Sequence, residues 1–148
     1  MRRVFWLMLV AACASAPKQR PLFFHDPQSA VPAIESMVRK KDWKTLARYY
    51  RLDGSGVERA TLESGAFFYT EQRPASADPA GLWKYRHPLA PGCKLLEVRE
   101  MQALAQVEVV TVIEIDQGGG MVQRALRSFL MFRGPEGYQI LPGEAPSR

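Results

Sequence analysis

Residues 104–116 read LAQVEVVTVIEID, and their period of two decides the fold. Val107, Val109, Thr111, Ile113 and Ile115 fall on one side of an extended chain, and Gln106, Glu108, Val110, Val112 and Glu114 on the other. A β-branched run of this kind predicts a strand with one buried face and one partly wet face. Gly118-Gly119-Gly120 then turns the chain, so residues 121–133 are expected to pair back. Gly134-Pro135-Glu136-Gly137 is a second tight-turn signal, and residues 138–141 close an antiparallel meander. Upstream, residues 94–101 supply a further strand.

The period changes further towards the N-terminus. From Pro32, residues Ile34, Met37 and Val38 recur on one helical face, and a proline suits a first helical turn. Asp42 is placed to cap a second helix over residues 43–50, with Trp43, Leu46, Ala47 and Tyr50 inward. Ser55-Gly56-Val57-Glu58 has the spacing of a capping box and predicts a third helix reaching residue 68 or 69. Residues 74–92 are rich in Pro, Gly and Ala and read as loop, with a short strand allowed at residues 82–85. Helices followed by a meander make an α+β domain, with the helices on one face of a curved antiparallel sheet.

Two segments carry a family resemblance. RKKDWKTLARYY, residues 39–50, is similar to the "gDw-x-x-L-x-x-yY" segment that ends the first helical region of many NTF2-like domains. FRGPEGYQIL, residues 132–141, resembles the closing hairpin of the same superfamily, with Tyr138 where tryptophan is commoner. The likeness covers residues 30–142. It implies a cone-shaped α+β fold (NTF2-like, cystatin-like) with room for a pocket between sheet and helices. It implies no activity, because folds of this kind host enzymes, binders and assembly modules alike.

The first thirteen residues form a separate unit. Arg2 and Arg3 precede an apolar run over residues 4–12, and Val10-Ala11-Ala12-Cys13 ends it with small residues and a cysteine. This order is that of an export signal, and the last four residues resemble the lipobox of bacterial lipoproteins. The run is far shorter than the ~20 residues of a membrane-spanning helix. Cleavage before Cys13 would leave it carrying acyl chains, palmitate among them, in a membrane. Ala14-Ser15-Ala16 offers a competing site for an ordinary signal peptidase, though Pro17 would then follow the scissile bond and fits poorly in an extended cleft. Among lipoproteins the residue after the cysteine sorts the molecule, and Ala14 implies the outer membrane, facing the periplasm. The expected organisation is therefore a signal peptide at 1–12, a tether at 13–28 and one α+β domain at 29–148. Within the tether, Leu22-Phe23-Phe24 is apolar enough to pack onto the domain.

Removal of twelve residues from 148 leaves 136, a single domain able to bury a core without staples. Loss of Arg2 and Arg3 lowers the formal charge from +5 to +3. The remaining cations alternate with acids, except at Arg39-Lys40-Lys41 with Lys44, and this pattern, with export, argues against nucleic acid as a partner. If Cys13 carries lipid, Cys93 has no cysteine left to pair with.

Catalytic chemistry leaves little trace. His25 and His87 stand far apart in Pro-containing loops, and nothing has the spacing of a metal site. Ser55 lacks the strand–turn–helix context of a nucleophile elbow. Enzymes of the resembled fold place acid–base residues in the cone, and the residues here that could line such a pocket are Tyr69, His87, Glu108 and Arg127. Solvated strand faces account for Glu108 and Arg127 without chemistry. The sequence thus points to a lipid-anchored, non-catalytic envelope protein that binds an envelope protein or a small apolar ligand and needs no cofactor. A small hydrolase, dehydratase or isomerase with an acid–base pocket is the alternative.

Overall fold

The computed structural model describes residues 18–68, 92–101 and 104–144. Cys13, Tyr69, His87 and the expected short strand at 82–85 lie outside them.

The first helix, α1 (Pro27–Lys40), starts earlier than Pro32. Asp26 is extended, and its carboxylate accepts the Ser29 N–H at 2.7 Å. Pro27 occupies the first helical position, where no N–H is required. Pro32 is consequently inside the helix, on its exposed side, so the carbonyl it leaves without a helical partner is at water. The helix stops at Lys41, a left-handed residue with φ 55°, and the Asp42 N–H reaches back to the Met37 carbonyl at 2.9 Å. Asp42 then caps α2 (Trp43–Arg48) as expected, accepting from the Thr45 N–H.

The third helix is shorter than its apparent capping box suggests. It is a five-residue turn, α3 (Arg59–Glu63), and Glu58 rather than Ser55 stands at its N-cap. The Ser55 hydroxyl instead donates to the Leu52 carbonyl at 2.7 Å and accepts from the Val57 N–H, closing a local turn. Gly65, with φ +81°, ends the helical path before a single 3₁₀ turn at Ala66–Phe68. A Cβ at Gly65 would lie 2.4 Å from the indole nitrogen of Trp43. The close approach lets Trp43 stack on Phe68 at 4.8 Å.

The four strands are β1 (Lys94–Met101), β2 (Gln106–Gly118), β3 (Met121–Gly134) and β4 (Gly137–Glu144), paired antiparallel in chain order. Opposed residues share a face in such a sheet. Val107↔Met131, Val109↔Phe129, Thr111↔Arg127 and Ile113↔Ala125 therefore define one face, to which Val98 of β1 and Ile140 of β4 belong. This face packs on Ala30, Ile34 and Val38 of α1, Leu46 of α2, and Tyr50, Leu62 and Phe68 in a single core. A helix layer on a curved antiparallel sheet makes the domain α+β, as the change of period indicates.

The outer edge of β4 is closed by a strap. Phe24 bridges Tyr138, and Tyr50 bridges Ile140 from the other direction. Phe24 is buried and stacks on Tyr49 at 4.0 Å, so the apolar triplet at 22–24 does pack onto the domain. Strapping removes a free strand edge.

Candidate functional site

Glu108 and Arg127 are the two pocket candidates inside the described residues, and they do not meet. Glu108 stands opposite Leu130 of β3 and Arg99 of β1, on the sheet face turned away from the helices. It is nonetheless only 8% exposed, so a solvated face is not its explanation. Strand β2 is flanked on both sides, and Arg99 lies over the carboxylate at 3.6 Å while also donating to Glu97 at 2.7 Å. Glu97 first, and Glu108 after it, hold the Arg99 guanidinium more firmly charged. The group is an ion-paired triad on a strand surface.

Arg127 falls on the opposite, helix-facing side, across from Thr111, and is half-buried. The Thr111 hydroxyl donates to the Arg127 main-chain carbonyl at 3.2 Å. An acid–base pair needs both groups within hydrogen-bond reach of one reacting atom. Residues on opposite faces of one sheet cannot provide that.

The space a cone enzyme would use is occupied by side chains where the structure describes it. Val107, Val109, Phe129, Met131 and Ile140 of the sheet meet Ile34, Leu46 and Phe68 directly, all fully or nearly fully buried. Among the described residues, Tyr50 and Cys93 are ionisable groups buried in this core. The Tyr50 phenol is wholly buried, and burial drives its pKa well above 10, which keeps it neutral at physiological pH. Phe67 and Phe68 pack against its ring edge-on. The Cys93 thiol is pushed up to about 12, by burial first and by the Glu35 carboxylate second. Glu35 in turn accepts from the Gly92 N–H at 2.9 Å and from Arg39 Nε at 3.0 Å. These surroundings make the thiol a poor nucleophile.

Among the described residues no group of three His, Cys, Asp or Glu side chains is arranged to hold a metal ion. No helix among them is long and apolar enough to cross a membrane.

One exposed feature of the sheet is not revealed by strand alternation alone. Pairing with β1 ends at Lys94↔Val112, and pairing with β4 ends at Phe129↔Glu144. Among the described residues, strands β2 and β3 continue beyond both limits as a two-stranded arm, tied by Glu114 and Arg124 at 3.1 Å. Its surface carries Met121, Val122 and Leu126, the last 64% exposed. The signal was the mismatch in strand length, thirteen and fourteen residues against eight.

No protein-family model, no curated protein and no solved structure matches this chain.

Proposed function

We propose that this chain is a lipid-anchored envelope protein of a non-catalytic, binding type, held by acyl chains on Cys13 and working through its outer surface. The observation that carries this reading is that the helix–sheet interior is filled by side chains among the described residues. Apolar side chains occupy it, and Glu108 and Arg127 stand on opposite faces of the sheet. An acid–base enzyme of the cone type requires at least two titratable groups converging in one cavity. The helix-first, meander-last order supports assignment of the α+β fold to the NTF2-like class, used here as a scaffold rather than as a pocket.

The anchor rests on the sequence ending at Cys13, and the strap adds a physical argument. The chain is bound to the domain from Leu22 onward, so only a short segment separates Cys13 from the folded body. Ala14 directs the reading to the outer membrane and its periplasmic side.

The experiment is expression of the full chain in a bacterial host with labelled palmitate, beside Cys13→Ser. Label should enter the wild type and be absent from the variant, which should be left soluble or uncleaved. Membrane retention with normal processing of Cys13→Ser sinks the anchor. Cross-linking of the membrane-bound wild type should then recover a reproducible partner; a consistently empty result sinks the binding role.

A further inference from the structure

The route by which the chain enters the domain fixes which side of the molecule lies nearest the anchor. The Leu22 N–H donates to the Arg48 carbonyl at 2.9 Å, and Arg48 Nε donates to the Arg20 carbonyl at 3.0 Å. The strap thus joins the body at the C-terminal end of α2. Arg20 follows Cys13 by seven residues. Fully extended, that segment spans at most about 25 Å, less than the ~35 Å diameter of a domain this size. The β2–β3 turn lies at the far end of β3 from the strap, about 40 Å away. A body held in this way cannot turn α2 far from the bilayer.

The exposed charges on that side are mainly positive. Trp43, Leu46 and Ala47 bury the inner face of α2, which leaves Lys44 and Arg48, four residues apart, on the outer one. Lys41 precedes Lys44 by three residues, Arg20 is tied to Arg48, and Lys18 lies two residues before Arg20 in the chain; all three are exposed. Arg39 does not contribute, since Glu35 already pairs with it. The acid within this stretch is Asp42, whose carboxylate is engaged with the Thr45 N–H.

We propose that the exposed face of α2, with Lys44, Arg48 and the flanking Lys41, Arg20 and Lys18, rests on the anionic phospholipid headgroups of the bilayer that holds the anchor. The inference depends on lipidation of Cys13. Cations within a Debye length of such a surface, about 8 Å, are attracted to it, each strengthening the association about five-fold. The anchor supplies proximity, and the basic face then sets the orientation: α2 down, the β2–β3 arm out towards the envelope space.

The test uses the full lipidated chain, extracted in detergent and reconstituted into two kinds of vesicle. One is neutral phosphatidylcholine; in the other, part of that lipid is replaced by phosphatidylglycerol. A water-soluble acylating reagent reports the accessibility of each lysine by peptide mass spectrometry. Lys94, which opens β1 on the half of the sheet nearer the arm, is the internal reference. Acylation of Lys41 and Lys44 should slow about ten-fold on the anionic vesicles relative to the neutral ones, with Lys94 unchanged. Lys18→Glu combined with Lys44→Glu, both exposed positions, should abolish the difference at Lys41 while the chain still floats with the vesicles. Equal acylation on both vesicles by a chain that floats overturns the proposal and leaves the anchor intact. Protection of the same lysines only in native envelopes also overturns it, in favour of a macromolecular cover. Failure to float even on neutral vesicles removes the anchor, and this inference with it.

Discussion

Phe24 and Tyr138 exchange both main-chain hydrogen bonds, each N–H donating to the other's carbonyl at 2.9 Å. The exchange is possible because Gly137, next to Tyr138, has no side chain. A Cβ there would sit 2.5 Å from the Phe24 carbonyl oxygen, and its φ of +133° is one that L-residues rarely adopt. Gly137→Ala should therefore displace the strap and destabilise the protein by about 2 kcal/mol or more. Phe24→Ala, which keeps the bridge but removes the ring stacked on Tyr49, should cost about 3 kcal/mol. Urea unfolding of the full chain measures both; an unshifted midpoint for Gly137→Ala would show that the strap contributes nothing to stability.

What was legible in the sequence was what depends on local pattern. The alternation of residues 104–116 and the two glycine turns define β2, β3 and the start of β4. Asp42 was readable as a cap because its Thr45 partner is three residues on. The length of α3 was not, because Gly65 ends the helix against Trp43, a contact twenty-two residues distant in the chain. The start of α1 was visible as Asp26-Pro27 with Ser29, but a proline inside the helix competed for the same role. The parity of β2 already separated Glu108 from the core positions. Its burial was not readable, since it depends on Arg99 being brought alongside by a β1 register that shifts at Leu96. For Arg127, facing the helices follows only once the β2–β3 register is known.

Cys93 should behave as an inert thiol that records alkaline unfolding. Its folded pKa of about 12 lies above the unfolded value of 9.0. Between these limits the unfolded chain has released the proton and the folded one retains it, so stability falls as pH rises. Below pH 9 the group contributes no slope. The buried Tyr50 phenol acts in the same direction, starting near its unfolded value of 10.0. Cys93→Ala should remove the decline that begins near pH 9 and lessen the steeper one above pH 10, to which Tyr50 also contributes. Alkylation at pH 8 should be negligible in the native protein and complete in denaturant. Rapid native labelling would contradict the burial of the sulfur.

Asp26 should do the opposite at acid pH. The Ser29 main-chain N–H holds its carboxyl below the usual 3.8, with the Ser29 hydroxyl and His25 as lesser contributors, against some desolvation. A lowered folded pKa means that its contribution is fully present above about pH 4, and is lost as pH falls through the folded value. Asp26→Asn keeps an oxygen acceptor for the helix end and should match the wild-type melting temperature near neutrality. Asp26→Ala should lower it. On acidification the lead of the wild type over Asp26→Ala should narrow, because the protonated carboxyl accepts more weakly than the carboxylate, whereas the gap between the Asn and Ala variants should stay constant. A constant gap between wild type and Asp26→Ala down to pH 2 would show that the carboxylate is not the cap.

Lys41 offers a gain in stability. It is the one residue other than glycine among those described with a positive φ, at 55°, and it occupies the position where helices most often end in glycine. An L-residue in the left-handed region costs about 1–2 kcal/mol relative to its preferred conformations, part of which glycine loses again through the greater freedom of its unfolded chain. Lys41→Gly should therefore stabilise the protein by about 0.5–1 kcal/mol. Lys41→Ala removes the same charge without relieving the backbone, and so separates the two contributions. If the gain comes from φ, the glycine variant unfolds at higher urea and the alanine variant does not. If it comes instead from thinning the Arg39-Lys40-Lys41 cluster, both variants gain equally and the gain shrinks with added salt. Urea titrations of the three chains at low and high ionic strength distinguish the two, and an unchanged or lowered midpoint for Lys41→Gly would rule out strain at this cap.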